Sequence, residues 1–388
     1  MKSFFSIRCP ILLGMVFLLL LTVASCTPRD KHFVAAGFTP TDDTCYAKGV
    51  SGAFAGFIDG RLMLAGGANF PHVPASQGGK KVYYDAIYAA SVGSLGAKGG
   101  PHKHPLRWER VGVLPMPLAY GVAVSDSAAM YFIGGMNGEG SSGEAFAMQR
   151  EGRVMRVHPL PPLPFTMDNM AGTLLDDTRI YVVGGNCNGK PSAGMFVLDG
   201  AKSEWFECAP VPGGPRLQPV CVATGGHIYV WGGYCPASDS TAAVVHTDGW
   251  KYDPATNAWA AVAGPVDEAG SAVTLAGGCA VALPDGSVIA TGGVNKDIFI
   301  AALRGEFPSP DYLLHEPDWY RFNTAVYRFN PFSETWETLS HSHRAARAGA
   351  SLVALDKERT LLIGGELQPG VRSTDVTLVS TGLEVGKE

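Results

Sequence analysis

The sequence predicts an all-β fold, a six-bladed β-propeller whose ring is closed by an N-terminal strand. Three observations predict it. Apolar runs ending in Gly-Gly recur as LMLAGG, MYFIGG, IYVVGG, IYVWGG, SVIATGG and TLLIGG, closing at Gly67, Gly135, Gly185, Gly233, Gly293 and Gly365. Another apolar run and a tight turn precede them, as in AFAGFIDGRLML and CAVALPDGSVIA, which read as hairpins with Asp-Gly turns. A third strand then ends in a fixed way in VLDGAKSEW, KYDPATNAW and RFNPFSETW: Asp199, Asp253 and Asn330 stand six residues before Trp205, Trp259 and Trp336.

Self-similarity of this kind marks a repeat of one supersecondary unit. Each unit reads as four antiparallel strands, with Gly-Gly closing the second and Trp opening the fourth. The pattern resembles the kelch repeat. The Gly-Gly pairs are 68, 50, 48, 60 and 72 residues apart. The second unit departs from the pattern: MQREGRVMRV has no Trp, and its Gly-Gly alone places it. The last unit supplies only three strands, GASLVAL, TLLIGG and DVTLVS. The N-terminal HFVAAGFTP reads as the missing fourth, so residues 32–38 are expected to complete the last blade and remove the open sheet edges. Residues 300–325 are an insertion between the second and third strands of the fifth unit. They are expected to form either a lid that offers Tyr312, Trp319 and Tyr320 to a ligand, or an insert packed on the rim.

Before the repeats, Lys2 and Arg8 flank an apolar run from Ile11 to Leu21, followed by Val23-Ala24-Ser25-Cys26. Residues 1–25 read as a lipoprotein signal peptide with Cys26 as the lipidated residue, a membrane tether without a spanning helix. An ordinary signal peptide and a single transmembrane anchor are the alternatives. Residues 26–44 are then tether and closing strand, and 45–388 the propeller. The expected place is the cell envelope, facing the periplasm or the outer surface.

Charged residues make up only 17% of the chain, the net charge is −5, and no basic stretch exists, which argues against nucleic acid as a partner. The 49 glycines accompany 46% apolar residues, a composition of tight turns around a core and not of disorder. His102/His104 and His341/His343 form His-x-His pairs with no further ligands clustered nearby, so no metal or organic cofactor is expected. Cys187 and Cys235 hold equivalent places in neighbouring units and are candidates for a disulfide in an exported chain.

Antiparallel geometry puts the loops after each Gly-Gly and the entries to each first strand on one face. Five of the six Gly-Gly pairs are followed by Ala68, Met136, Asn186, Tyr234 and Val294; the sixth is followed by Glu366. In GGELQPGVR a Pro369-Gly370 turn folds Arg372 back towards that carboxylate. The entry loops add Tyr120, Asn169, Arg216 and Arg347. A mouth that carries arginines on an acidic protein suits an anionic ligand.

Several segments, GGPRLQ, TGGVNKDIF, GGELQPGVRSTD, AGGANFP with GGKKVYYD, and AYGVAV, together resemble the bacterial N-acetylneuraminate epimerases, or sialic acid mutarotases. Here GGANFP comes first, as in the cyclically permuted branch of that family. The resemblance implies a periplasmic kelch propeller that interconverts α- and β-anomers of N-acetylneuraminic acid by ring opening and reclosure. It implies Glu366 as proton acceptor and Arg372 as its catalytic partner in the site. Arg372 is expected to hold the substrate carboxylate with a bidentate pair, and Arg216, Asn295 and Arg347 are candidate substrate contacts. Gln368 stands where the family has lysine, and Ser373 is an added residue. The rivals are a non-enzymatic carbohydrate- or protein-binding propeller at the cell surface, and a mutarotase for another sugar.

Overall fold

A computed structural model describes residues 32–93, 95, 106–308 and 311–382. The signal segment, Cys26, His102 and His104 lie outside the described residues.

The fold is all-β and propeller-like. Five separate four-stranded antiparallel sheets recur along the chain. The first runs Phe54–Ile58, Arg61–Ala65, Ala86–Ser91, Trp108–Val113. Others run Ala171–Leu175 to Glu204–Cys208, Val220–Thr224 to Ala258–Val262, and Gly278–Ala282 to Thr335–His341. The last holds Ser351–Ala354, Arg359–Ile363 and Asp375–Ser380, with Phe33–Phe38 paired to Asp375–Ser380 at its edge. The remaining strands merge into one seven-stranded sheet. Within it Val122–Ser125, Ala129–Asn137, Gly140–Glu151 and Val154–Leu160 pair in the order of the other sheets. Its extra members arise because the hairpin Ala129–Asn137/Gly140–Glu151 continues past Gly135 and pairs, through Ser142, with Met167.

Local chemistry explains the units. In the hairpin turn Asp59-Gly60 both residues have positive φ, 51° and 70°, the pattern that matches strand twist. Second strands are buried on both faces, as in Arg61–Ala65, hence their unbroken apolar runs. Side chains from neighbouring sheets share each core layer: Leu175 and Tyr181 of one sheet lie with Ile228 and Tyr252 of the next. The spaced Trp has a defined task. Trp205 Nε1 donates to Pro161 O, Trp259 to Ala209 O and Trp336 to Ala263 O, each just beyond the fourth strand of the preceding sheet. Trp108 Nε1 likewise donates to Phe38 O at 2.7 Å, the last residue of Phe33–Phe38.

Gly-Gly is required by contact between sheets. A Cβ on Gly292, which has φ 71°, would lie 2.4 Å from Arg347 O, and one on Gly364, with φ 60°, would lie 2.6 Å from Val50 O. In both cases the second glycine donates its N–H to that same carbonyl, at 2.8 Å.

Six turns, each leading into a strand, are joined directly. Gly52 N donates to Gly349 O, Gly349 N to Gly277 O, Gly277 N to Gln218 O, Gln218 N to Asn169 O, Asn169 N to Tyr120 O and Tyr120 N to Gly52 O, at 2.7–3.0 Å. This cycle surrounds a central cavity of about 210 Å³. All six residues have positive φ, between 49° and 68°. For Tyr120, Asn169 and Gln218 that is a costly backbone, held by a hydrogen bond on either side.

Arg216 and Arg347 sit two residues before cycle members Gln218 and Gly349. Arg216 is fully buried. It donates from Nη1 to Asp248 Oδ1 at 2.9 Å and to Gly232 O at 3.2 Å, and from Nη2 to Asp248 Oδ2 at 3.1 Å and Pro212 O at 2.8 Å. Arg347, also buried, donates to Gly364 O, Asp375 O and Thr377 Oγ1. Burial pushes its pKa down to about 10. Both arginines were expected at the mouth as substrate contacts. In the structure they tie loops together and their guanidinium groups are covered.

Two outcomes follow from these contacts. Gly60 has nothing near its would-be Cβ, whereas Gly292 does. In urea unfolding, Gly60→Ala should therefore cost about 1 kcal/mol from the left-handed backbone alone, and Gly292→Ala about 1–3 kcal/mol more; equal losses contradict the contact argument. Burial opposes ionisation of Asp248, but the Arg216 hydrogen bond and charge hold its pKa below the ordinary value. A lowered carboxyl pKa contributes stability above the unfolded-state value of 3.8, and that contribution is lost as pH falls through the folded value. Asp248→Asn should cost about 3 kcal/mol at pH 7, with the gap to wild type closing below about pH 4. A gap that is constant from pH 7 to pH 3 contradicts the pairing.

Candidate functional site

The residue after each Gly-Gly is pinned to the turn that precedes a cycle member. Ala68 bridges Ser51, Met136 bridges Ala119, Tyr234 bridges Leu217 and Glu366 bridges Ala348. Asn186 pairs with Asp168, and Val294 N donates to Ala276 O. These residues thus hold equivalent register positions about the mouth. Glu366 is the one carboxylate among them.

A short two-stranded arm, Glu366–Gln368 with Val371–Arg372, carries the pair. Glu366 and Arg372 are direct cross-strand partners. The Pro369-Gly370 turn permits this, with Gly370 at φ 86°. Arg372 Nη1 lies 2.9 Å from Glu366 Oε1. The contact is an ion pair out of hydrogen-bond alignment, and Nη1 has no other partner. Arg372 Nε donates to Ala68 O at 3.3 Å and Nη2 to Tyr120 Oη at 3.3 Å. The guanidinium carbon lies 5.2 Å from the centre of the Phe70 ring. Its side chain is 2% exposed and that of Glu366 21%. The cation is therefore behind the carboxylate, and the carboxylate meets the solvent.

Lys81 Nζ is 4.7 Å from the centre of the Tyr120 ring. It has no carboxylate partner among the described residues. Elsewhere on the mouth, Asp168 is 3% exposed and accepts from Asn169 Nδ2 at 2.6 Å, from Asn186 Nδ2 at 2.9 Å and from the Ser141 hydroxyl. Gln218 Nε2 donates to Asn169 Oδ1 at 2.8 Å, extending this network along the cycle. Burial, then the charges of Glu366 and Asp168, push the Tyr234 phenol up to about 12. Burial, Tyr320 and Glu366 do the same to Tyr312. Both phenols stay protonated near neutrality.

The insertion packs on itself and on the rim. Asn295 caps the helix Lys296–Leu303, its side chain accepting from Asp297 N and Ile298 N, both at 3.1 Å. That employment differs from the substrate contact expected of it. Tyr312, Trp319 and Tyr320 form an aromatic cluster with Phe307 and His315, and Tyr320 is buried. Phe299 sets its ring edge-on to Tyr234, with centroids 4.9 Å apart. Cys187 and Cys235 are free thiols. His341 is beside Glu268 at 3.6 Å and His343 beside Asp318 at 4.0 Å. No group of three or more His, Cys, Asp or Glu is arranged to hold a metal among the described residues.

Of the residues singled out in the sequence, Glu366 and Arg372 come together. Arg216, Arg347 and Asn295 do not join them. Phe70, Lys81, Asp168 and the Tyr234 hydroxyl were missed as mouth residues. Tyr234 carried a readable signal, since it stands in the same register as Glu366. What results is an accessible carboxylate backed by a fixed cation and ringed by protonated phenols, an arrangement suited to moving protons on a polar substrate.

The model of a family described as NANM, N-acetylneuraminate epimerase, matches residues 160–386. An N-acetylneuraminate epimerase of Salmonella arizonae is 34% identical over 232 residues, 56% of this chain and 57% of the relative. One of Pasteurella multocida is 28% identical over 234 residues, 57% of this chain and 59% of the relative. A solved structure titled "Structure of YjhT" is 28% identical with a TM-score of 0.49, covering 58% of this chain and 66% of the other. This chain thus spans a little over half the length of the curated relatives it matches. The family match covers more than half of the 388 residues, and the chain belongs to the N-acetylneuraminate epimerase family.

Proposed function

We propose that this protein is a mutarotase that interconverts the α- and β-anomers of N-acetylneuraminic acid by opening the ring at the anomeric carbon and reclosing it on the other face. The observation that carries the reading is the Glu366–Arg372 pair, a half-buried but accessible carboxylate with its cation held 2.9 Å behind it. Ring opening needs a base for the anomeric hydroxyl proton, and a positioned carboxylate typically contributes about 10²–10⁴-fold. Glu366 is that base. Arg372 fixes the carboxylate and is a positioning residue. Being 2% exposed, it is covered where a substrate carboxylate would have to approach it. Lys81, without an acidic partner, takes that carboxylate instead.

The scaffold reading is a closed six-bladed kelch propeller. It is supported by the strand order Val122–Ser125 to Val154–Leu160, by the six-membered hydrogen-bond cycle, and by the pairing of Phe33–Phe38 with Asp375–Ser380. The segment ending in Val23-Ala24-Ser25-Cys26 supports a lipid-anchored protein of the cell envelope.

Anomerisation of freshly released α-N-acetylneuraminic acid, followed by NMR, tests the assignments. Glu366→Gln should lower kcat by about 100-fold or more. Lys81→Ala should raise KM about 10-fold with kcat little changed, the loss of one charge-assisted contact worth about 1.4 kcal/mol. Equal rates for wild type and Glu366→Gln refute the base, and an unchanged KM refutes the lysine. Deleting residues 32–40 should lower the thermal midpoint by several degrees, since it strips the partner of Asp375–Ser380 and the Trp108 acceptor. An unchanged midpoint contradicts closure.

A further inference from the structure

Mutarotation needs a second proton carrier besides Glu366. When the bond between the anomeric carbon and the ring oxygen breaks, its electron pair goes to the ring oxygen, which must gain a proton. Asp168 is saturated with three donors and buried. Tyr320 donates its hydroxyl hydrogen to Tyr312 O.

Tyr120 differs from these. Its Oη accepts from Arg372 Nη2 at 3.3 Å, and its own O–H donates to no group among the described residues. The same guanidinium touches Glu366 through Nη1 at 2.9 Å. One buried cation thus holds the carboxylate on one arm and the phenol on the other. The backbone is committed to this placement. Tyr120 has φ 58°, a genuine outlier for a bulky residue, and both its N–H and its carbonyl are tied into the cycle. Room for the ring is left by the neighbouring cycle member: a Cβ on Gly52 would lie 2.6 Å from Tyr120 Cδ1. Strain held in this way concentrates at functional sites.

We propose that Tyr120 is the general acid that protonates the ring oxygen as Glu366 takes the anomeric proton, a role that rests on the mutarotase reading above. In the forward step, the Glu366 carboxylate removes the anomeric hydroxyl proton, a carbonyl forms at that carbon, the ring bond breaks, and the Tyr120 proton passes to the freed oxygen. The phenolate is held by the Arg372 guanidinium. After rotation about the adjacent carbon–carbon bond, the hydroxyl attacks the other face of the carbonyl. Its proton returns to the phenolate, and protonated Glu366 gives its own to the new anomeric oxygen. No electrons are gained or lost by the protein.

The test compares kcat and KM for anomerisation of N-acetylneuraminic acid in wild type, Tyr120→Phe and Tyr120→Asn. The Phe variant keeps the ring, and the Asn variant suits the left-handed turn. Near-UV circular dichroism checks that each is folded. Both should lose about 100-fold in kcat, with KM changed less than about threefold for Tyr120→Phe. A folded variant of either kind with kcat within threefold of an active wild type overturns this inference alone. A wild type that does not accelerate anomerisation overturns the mutarotase reading and this inference with it.

Discussion

The cycle of six backbone hydrogen bonds through Gly52, Tyr120, Asn169, Gln218, Gly277 and Gly349 is the constraint on which the rest depends. It brings six chain entries around one small cavity. It also dictates a left-handed backbone at every member, which three glycines meet freely and Tyr120, Asn169 and Gln218 meet at a cost. Those three members line one arc of the mouth and carry its polar side chains. Close approach of each second strand to the next entry then demands Gly-Gly, as Gly292 and Gly364 show.

Charge is sorted between two tasks. Arg216 and Arg347 are spent inside the fold, where their donors satisfy carbonyls that neighbouring loops leave open. Leaving such donors unmet would cost about 1–3 kcal/mol each. Arg372 is nearly as buried but serves the mouth, because its partners Glu366 and Tyr120 are there. Its misaligned Nη1 leaves part of the carboxylate's hydrogen-bonding capacity to solvent or substrate.

Much of the scaffold was legible because its rules repeat. Gly-Gly marks the second strand, and the Trp after a fixed spacing marks the fourth. The reason for the Trp, a bond to the preceding sheet, emerges only in three dimensions. Glu366 was legible because it breaks a repeated pattern. The roles of Arg216 and Arg347 were not, since arginine serves a buried clamp and an anion site equally well and the partner Asp248 is distant in sequence. Asn295 misled for a similar reason, a polar residue after Gly-Gly also being a good helix cap. Lys81 and Phe70 belong to the mouth through the first repeat's loop, which no periodicity places. The strain at Tyr120 has no sequence signature at all.

Under the proposed mechanism the mouth holds a sugar acid with its anomeric centre between Glu366 and Tyr120. A crystal structure of the Glu366→Gln variant soaked with N-acetylneuraminic acid tests it most directly. The anomeric oxygen is expected within about 3.2 Å of the residue 366 side chain and the ring oxygen within about the same distance of Tyr120 Oη. A sugar bound away from these two side chains, or with its ring oxygen turned from Tyr120, would contradict it.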